Sequence, residues 1–224
     1  MAQNGRAFDL VAFDMDGTLV DYPSCWDWVH HHFNVDNEAA LALFVQGRID
    51  DAEFMRRDIA LWTQKRPGIR TDEIEAVLES LPLRPGIKET VKAIKDGGAR
   101  AVIVTGGMDL VAERLVQTCG FDDYLANGLE ADRSGRLTGE GVLRVKVLSK
   151  DLALASLMSK YGVEPDRVAC VGDSFVDVSM FKSCGMSIAY NPVDEAAEKN
   201  ATFVVRDHDL RAILPHLLAP LQKP

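Results

Sequence analysis

The stretch Leu10-Val11-Ala12-Phe13-Asp14-Met15-Asp16-Gly17-Thr18-Leu19 decides how this chain is read. Four consecutive apolar residues fit a parallel strand buried on both faces, and open α/β sheets bind ligands beyond the carboxyl ends of such strands. In an extended chain residues i and i+2 share a face, so Asp14 and Asp16 are expected to aim into one crevice. Two unpaired acids there repel each other and lose hydration unless a cation neutralises them or they perform acid–base work. A strand ending in an Asx turn accounts for one Asp but not for both.

The rest of the chain extends this strand into an α/β unit. Leu10–Phe13, Ala101–Val104, Val168–Val171 and Ser187–Ala189 are predicted as parallel strands; the first three each run into a polar, Gly-containing turn and then helical periodicity. Helices are expected over Ile87–Lys95, Asp109–Thr118, Leu152–Tyr161 and Asp177–Ser183, with Gly97-Gly98 ending the first of them. Gly128–Val142, containing Asp132-Arg133-Ser134-Gly135-Arg136, reads as a hairpin around a tight turn. Between Tyr22 and Leu83 helical periodicity dominates, with Trp26, Val29 and Phe33 on one stripe, Leu41, Phe44 and Val45 on a second, and Phe54, Ile59, Leu61 and Trp62 on a third. The expected architecture is a Rossmann-like parallel sheet, residues 1–21 and 84–224, interrupted after its first strand by a small helical cap, residues 22–83.

Bulk properties bound the function. The 224 residues can bury a core without staples, and 47% apolar with 26% charged residues is ordinary for a globular protein. A formal charge of −9 argues against nucleic acid or an anionic membrane as partner, so an anionic ligand needs a local cation. Cys25, Cys119, Cys170 and Cys184 are scattered without paired spacing, which suits a reducing cytoplasm. Neither a basic-then-apolar leader nor a bilayer-length apolar run is read in the sequence. The run His30-His31-His32 is tempting as a metal tract, but successive helical residues point about 100° apart and cannot share one ion. A cap surface, with one His facing the cleft, is the expectation, and Trp26, Trp28 and Trp62 are expected in the cap core.

Three later strand ends carry unusual composition. Thr105-Gly106-Gly107 offers a hydroxyl and exposed amides, as an anionic phosphate oxygen requires. Lys150 begins a predicted helix with Ser149 as a plausible N-cap, a cation placed against the macrodipole. Lys146 is its runner-up, in the strand-like stretch Val142–Leu148. Gly172-Asp173-Ser174-Phe175-Val176-Asp177 then supplies two acids four residues apart. Together these segments present hard oxygen ligands with open positions, which suits Mg²⁺.

An acid pair, a Thr, a Lys and a second acid pair, in that order, resemble the haloacid dehalogenase superfamily of phosphatases along essentially the whole chain. That resemblance implies Asp14 as nucleophile forming an aspartyl-phosphate and Asp16 as general acid and base. It implies Thr105, Gly106 and Lys150 as phosphate ligands. Mg²⁺ would be held by Asp14, the Asp16 carbonyl and Asp173, with Asp177 in support. Within the superfamily the phosphoserine phosphatase-like group is most similar, through Asp14–Asp21, Thr105–Asp109, Asp173–Phe181 and Asp207–Arg211. Departures fall on substrate recognition: that group carries a Glu where this chain has Pro23, its cap Arg falls on Asp58, and Val176 replaces an Asn. Arg56 and Arg57, beside Asp58, are the substitute substrate ligands. The expected protein is a cytoplasmic Mg²⁺-dependent phosphomonoesterase for a small phosphorylated metabolite, monomer or homodimer. A phosphotransferase or mutase of the same fold, or a non-catalytic binding module, are the alternatives.

Overall fold

The computed structural model describes residues 8–218, so the outer ends of the predicted core, 1–7 and 219–224, lie outside the described residues. Seven strands form one sheet in the order β4-β3-β2-β1-β5-β6-β7. They are β1 (Leu10–Phe13), β2 (Arg100–Met108), β3 (Asp123–Ala131), β4 (Leu137–Val142), β5 (Val168–Gly172), β6 (Met186–Tyr190) and β7 (Phe203–Val205). All neighbours are parallel except β3 and β4. The period of two along β1 sorts its side chains between two cores: Val11 and Phe13 join one buried cluster, Leu10 and Ala12 the other. The same alternation holds in β5, with Ala169 and Val171 on one face and Val168 and Cys170 on the opposite one.

Helices α1 (Cys25–Phe33), α2 (Glu38–Val45), α3 (Asp51–Lys65) and α4 (Thr71–Leu78) follow β1 before the chain returns through α5 (Ile87–Asp96) to β2. Ser24 and Asp50 cap α1 and α3, their side chains accepting from the N–H groups of Asp27 and Glu53. After β2 come α6 (Asp109–Cys119), the β3–β4 hairpin, α7 (Lys150–Tyr161), β5, α8 (Val178–Phe181), β6, α9 (Glu195–Asn200), β7 and α10 (Leu214–Leu218). Because the chain builds β2 and β3 on one side of β1 and β5 to β7 on the other, β1 and β5 flank the point where strand order reverses. Their carboxyl ends form the crevice such sheets use for ligands.

Several local expectations are corrected. β2 does not end at Val104 but runs through Gly106 and Gly107 to Met108, with its pairing to β3 shifting register on the way. β3 begins at Asp123, well before Gly128, because its first half pairs in parallel with β2 and its second half turns to β4. Leu143–Ser149 is irregular rather than strand-like, and Ser149 occupies the N-cap of α7 without a side-chain capping bond. β7 was not anticipated. Asp132 closes the hairpin as read: its carboxylate accepts from the N–H groups of Ser134 and Arg136.

Candidate active site

Asp14 follows β1 directly and remains tied to the sheet, its N–H donating to the Val171 carbonyl at 2.8 Å. Asp173 and Asp177 sit just beyond β5, and carboxylate oxygens of Asp14, Asp173 and Asp177 lie within 4.8 Å of one another. Lys150 stands in the first turn of α7, where helical side chains lean back toward the N-terminus, and its stem spans the gap to the strand ends. Its Nζ donates to Asp14 Oδ1 at 2.6 Å and to Asp177 Oδ1 at 2.7 Å. All four residues are buried, Lys150 at 1% exposure, so the placement against the macrodipole is offset by two short ion pairs. The other Asp177 oxygen accepts from the backbone N–H groups of Asp173 and Ser174 at 2.9 and 3.1 Å, which fixes the turn after β5. Asp173 accepts from the Thr18 hydroxyl at 3.2 Å.

Three carboxylates against one ammonium leave two negative charges in excess in a buried place. The imbalance registers in the acids themselves. Burial, with Asp14 and Asp177 alongside, pushes Asp173 up to about 9, and burial and Asp177 push Asp14 up to about 7. An all-oxygen donor set with that charge excess fits a divalent cation. Gly17 marks how closely the backbone wraps this cluster: at φ +78°, a Cβ there would meet Asp173 Oδ2 at 2.4 Å.

Asp16 lines the same cavity as Asp14 but its carboxylate is not part of the three-acid cluster. The i, i+2 argument places both acids at one crevice without giving them one environment. The Asp16 carboxyl instead receives hydrogen bonds from the backbone N–H and thiol of Cys25, at the start of α1, while burial pushes it up to about 6. Burial pushes the Cys25 thiol itself well up, so it remains a donor. Oδ1 of Asp16 is buried and has no hydrogen-bond partner among the described residues. Gly107 is required beside it, since a Cβ there would fall 2.6 Å from Met15 Cε and 2.7 Å from Asp16 Oδ2.

Thr105 is 1% exposed, and its Oγ accepts from the Gly107 N–H at 2.9 Å, which leaves its own hydrogen free to donate. The Gly106 carbonyl accepts from the Trp26 indole and from Asn127, each at 3.2 Å. Asn127, in β3, also donates to the Val145 carbonyl and accepts from the N–H groups of Arg144 and Val145, so one amide holds the segment leading to Lys150. The roles of Cys25 and Asn127 in the site were not read from sequence. The signal for Asn127 is a polar residue directly after the apolar pair Leu125-Ala126.

Above these groups lies a cavity of about 460 Å³ whose far walls come from α1, α2 and α3. Asp58 and Pro23 line it, as do Trp26, Phe44 and Phe54. The structure does not bring Arg56 and Arg57 into it. Arg56 pairs with Glu53 and Glu140, Arg57 pairs with Glu53 at 2.8 Å, and neither lines the cavity, because α3 turns Asp51, Phe54, Met55 and Asp58 toward it and both arginines toward Glu53. Lys146 is likewise not among the lining residues. The histidine run divides: His31 and His32 line a separate outer groove, whereas His30 is fully buried, contrary to a cap-surface reading. His30 Nδ1 accepts from the Trp62 indole at 2.8 Å, and Trp62 stacks on Trp26.

The chain is similar to known proteins in sequence and fold. Residues 11–182 match the family model described as haloacid dehalogenase-like hydrolase. A phosphoserine phosphatase of Idiomarina loihiensis is 30% identical over 210 residues, 92% of this chain and 91% of that protein. One from Methanocaldococcus jannaschii is 27% identical over 212 residues, covering 93% of this chain and 97% of its own. A solved phosphoserine phosphatase structure, titled as a phospho-aspartyl intermediate analogue, superposes with a TM-score of 0.79 at 26% identity, over 95% of this chain and all of that one. With the family model spanning most of its length and full-length relatives at this identity, the chain belongs to the haloacid dehalogenase-like hydrolases.

Proposed function

We propose that this protein is a Mg²⁺-dependent phosphomonoester hydrolase that works through an aspartyl-phosphate on Asp14, acting on a small phosphorylated metabolite. The observation that carries the proposal is the buried set Asp14, Asp173, Asp177 and Lys150 at the sheet's switch point, with Asp16 at the same cavity. The phospho-aspartyl analogue of a similar phosphatase supports the same chemistry. Mg²⁺ is chosen because it takes a few carboxylates and leaves positions for water and phosphate oxygens. Asp14, the Asp16 carbonyl and Asp173 would hold it, with Asp177 in support, and there it would supply positive charge to the phosphoryl oxygens and favour ionised Asp14.

In the first step a carboxylate oxygen of Asp14 bonds to phosphorus as the bond from phosphorus to the alcohol oxygen breaks. Asp16, which burial pushes up to about 6, gives a proton to the departing oxygen. In the second step Asp16 takes a proton from water, the water oxygen attacks phosphorus, and Asp14 and inorganic phosphate separate. Lys150 orients Asp14 and, with the Thr105 hydroxyl and the Gly106 amide, stabilises charge on the phosphoryl group. The test is phosphate release from p-nitrophenyl phosphate with Mg²⁺, with and without EDTA, by wild type and Asp14→Asn. Turnover is expected only in wild type with Mg²⁺, with matching far-ultraviolet circular dichroism; a folded Asp14→Asn protein of wild-type activity refutes the mechanism.

A further inference from the structure

The reaction end of the cavity is anionic-ligand chemistry; the opposite end is not. Beyond Asp14, Asp16 and Lys150, the charged residues on its walls are Asp27, Asp51 and Asp58, and Lys150 is the one cation among the described lining residues. Lys150 is already engaged by Asp14 and Asp177. Two of the three outer acids are satisfied locally: Asp27 accepts from the Tyr22 hydroxyl at 2.9 Å, and Asp51 from the Val147 N–H at 2.7 Å.

Asp58 is different. It is 2% exposed, and its Oδ1 accepts from Asn37 Nδ2 at 3.0 Å, while Oδ2 has no hydrogen bond among the described residues. His30 Nε2 lies 3.4 Å from Oδ1. Because an indole nitrogen only donates, the Trp62 contact makes His30 Nδ1 the acceptor and puts the ring proton on Nε2. At 3.4 Å this Nε2 makes no hydrogen bond to Asp58 and is itself buried without a partner among the described residues. Around this acid the cavity wall is aromatic and apolar: Trp26, Phe44, Phe54 and Met55, with Phe44 and Phe54 stacked at 4.8 Å. A buried carboxylate short of a cation, framed by aromatic faces, is the chemistry that recognises an ammonium group. It is also the wrong chemistry for a carboxylate, which would face Asp58 with no positive side chain to neutralise either.

We infer that the substrate is the phosphate monoester of an amino alcohol, its ammonium seated between Asp58 and the aromatic wall while its phosphoryl group lies against Asp14 and Lys150. This rests on the phosphomonoesterase function proposed above and assigns its leaving group. Chemically, the substrate class is an alcohol bearing a primary or quaternary ammonium and no carboxylate.

The test uses the full chain with Mg²⁺ and measures kcat/KM for phosphate release from five monoesters. They are p-nitrophenyl phosphate, phosphoethanolamine, phosphocholine, O-phosphoserine and glycerol 3-phosphate. At least one of the two carboxylate-free amines is expected to exceed both O-phosphoserine and glycerol 3-phosphate by about 10- to 100-fold. O-phosphoserine or glycerol 3-phosphate equal to or better than both amines overturns the inference. In that outcome hydrolysis of p-nitrophenyl phosphate keeps the phosphatase function intact, whereas no hydrolysis of any ester overturns that function and this inference with it. Asp58→Asn adds a ratio as readout: the preference for the amine over glycerol 3-phosphate is expected to collapse toward one, and an unchanged ratio in a folded variant removes Asp58 from the assignment. The wild-type series decides the substrate class whether or not the variant folds.

Discussion

Lys150→Met tests the electrostatics of the site most directly, because methionine keeps most of the aliphatic stem while removing the ammonium. The wild-type Nζ holds Asp14 and Asp177 at 2.6 and 2.7 Å in a place that is 1% exposed at the lysine. Breaking a buried pair by deleting one partner costs about 3–5 kcal/mol, since the remaining charges stay buried and uncompensated. For a chain of this length that corresponds to a fall in Tm of roughly 6–20 °C. The cost has a pH dependence whose sign follows from the acids. Asp14 and Asp173 are held above the ordinary carboxylate range, so between about pH 4 and pH 9 the native state binds protons that the unfolded chain has released. Stability therefore falls as pH rises through that window. Without Lys150 the acids move further up, and the fall steepens. Thermal unfolding in EDTA, followed by circular dichroism, is expected to show a small difference between variant and wild type at pH 5.5 and the full loss at pH 8.5. A difference under about 3 °C at pH 8.5, or one equal at both pH values, refutes the argument that the ammonium compensates this cluster.

Metal removal has the complementary signature: because cation and protons compete for the same oxygens, the Tm gained on adding millimolar Mg²⁺ to EDTA-treated protein is expected to grow from pH 5.5 to pH 8.5, read by the same melt. Gly107→Ala places a methyl against Asp16 and Met15 and is expected to lower kcat for p-nitrophenyl phosphate about 100-fold or more while the far-ultraviolet spectrum is retained. Asn127→Leu strands backbone groups of Arg144 and Val145 and is expected to cost about 2–4 kcal/mol in urea unfolding.

What could be read from sequence and what could not separate along physical lines. Strands β1, β2, β5 and β6 were legible because each contains a short, mostly apolar run that is buried, and Asp14, Thr105 and Asp173 stand at or just beyond the ends of three such runs. Lys150 could be placed at a helix start, although its burial between two acids depends on a contact 136 residues away in sequence. β7 was missed because it is three residues long and largely exposed. Arg56 and Arg57 were attractive as cations near an expected substrate position, yet helix phase turns them toward Glu53 and Glu140 and turns Asp58 inward. The Asn37–Asp58–His30–Trp62 chain joins α1, α3 and the turn between α1 and α2, and no local pattern announces a contact of that kind.

The two parts of the site meet at two adjacent residues. Cys25 donates its N–H and thiol to Asp16 and accepts from the Met108 N–H at 3.2 Å, while the Trp26 indole bonds the Gly106 carbonyl. Both belong to the first turn of α1, which also leads to His30 and hence to Asp58. Asp16, the proposed general acid, is thereby held by the same helix that carries part of the proposed leaving-group wall. The three-acid cluster, by contrast, is bonded to Thr18, Lys150 and the turn after β5, and among the described residues no hydrogen bond links it to α1. A substitution that displaces α1 is therefore expected to move Asp16 more than Asp14, Asp173 and Lys150. For that reason changes in the helical segment act on kcat through proton delivery as well as on KM through the fit of the alcohol, and the two parameters have to be measured together to tell these effects apart.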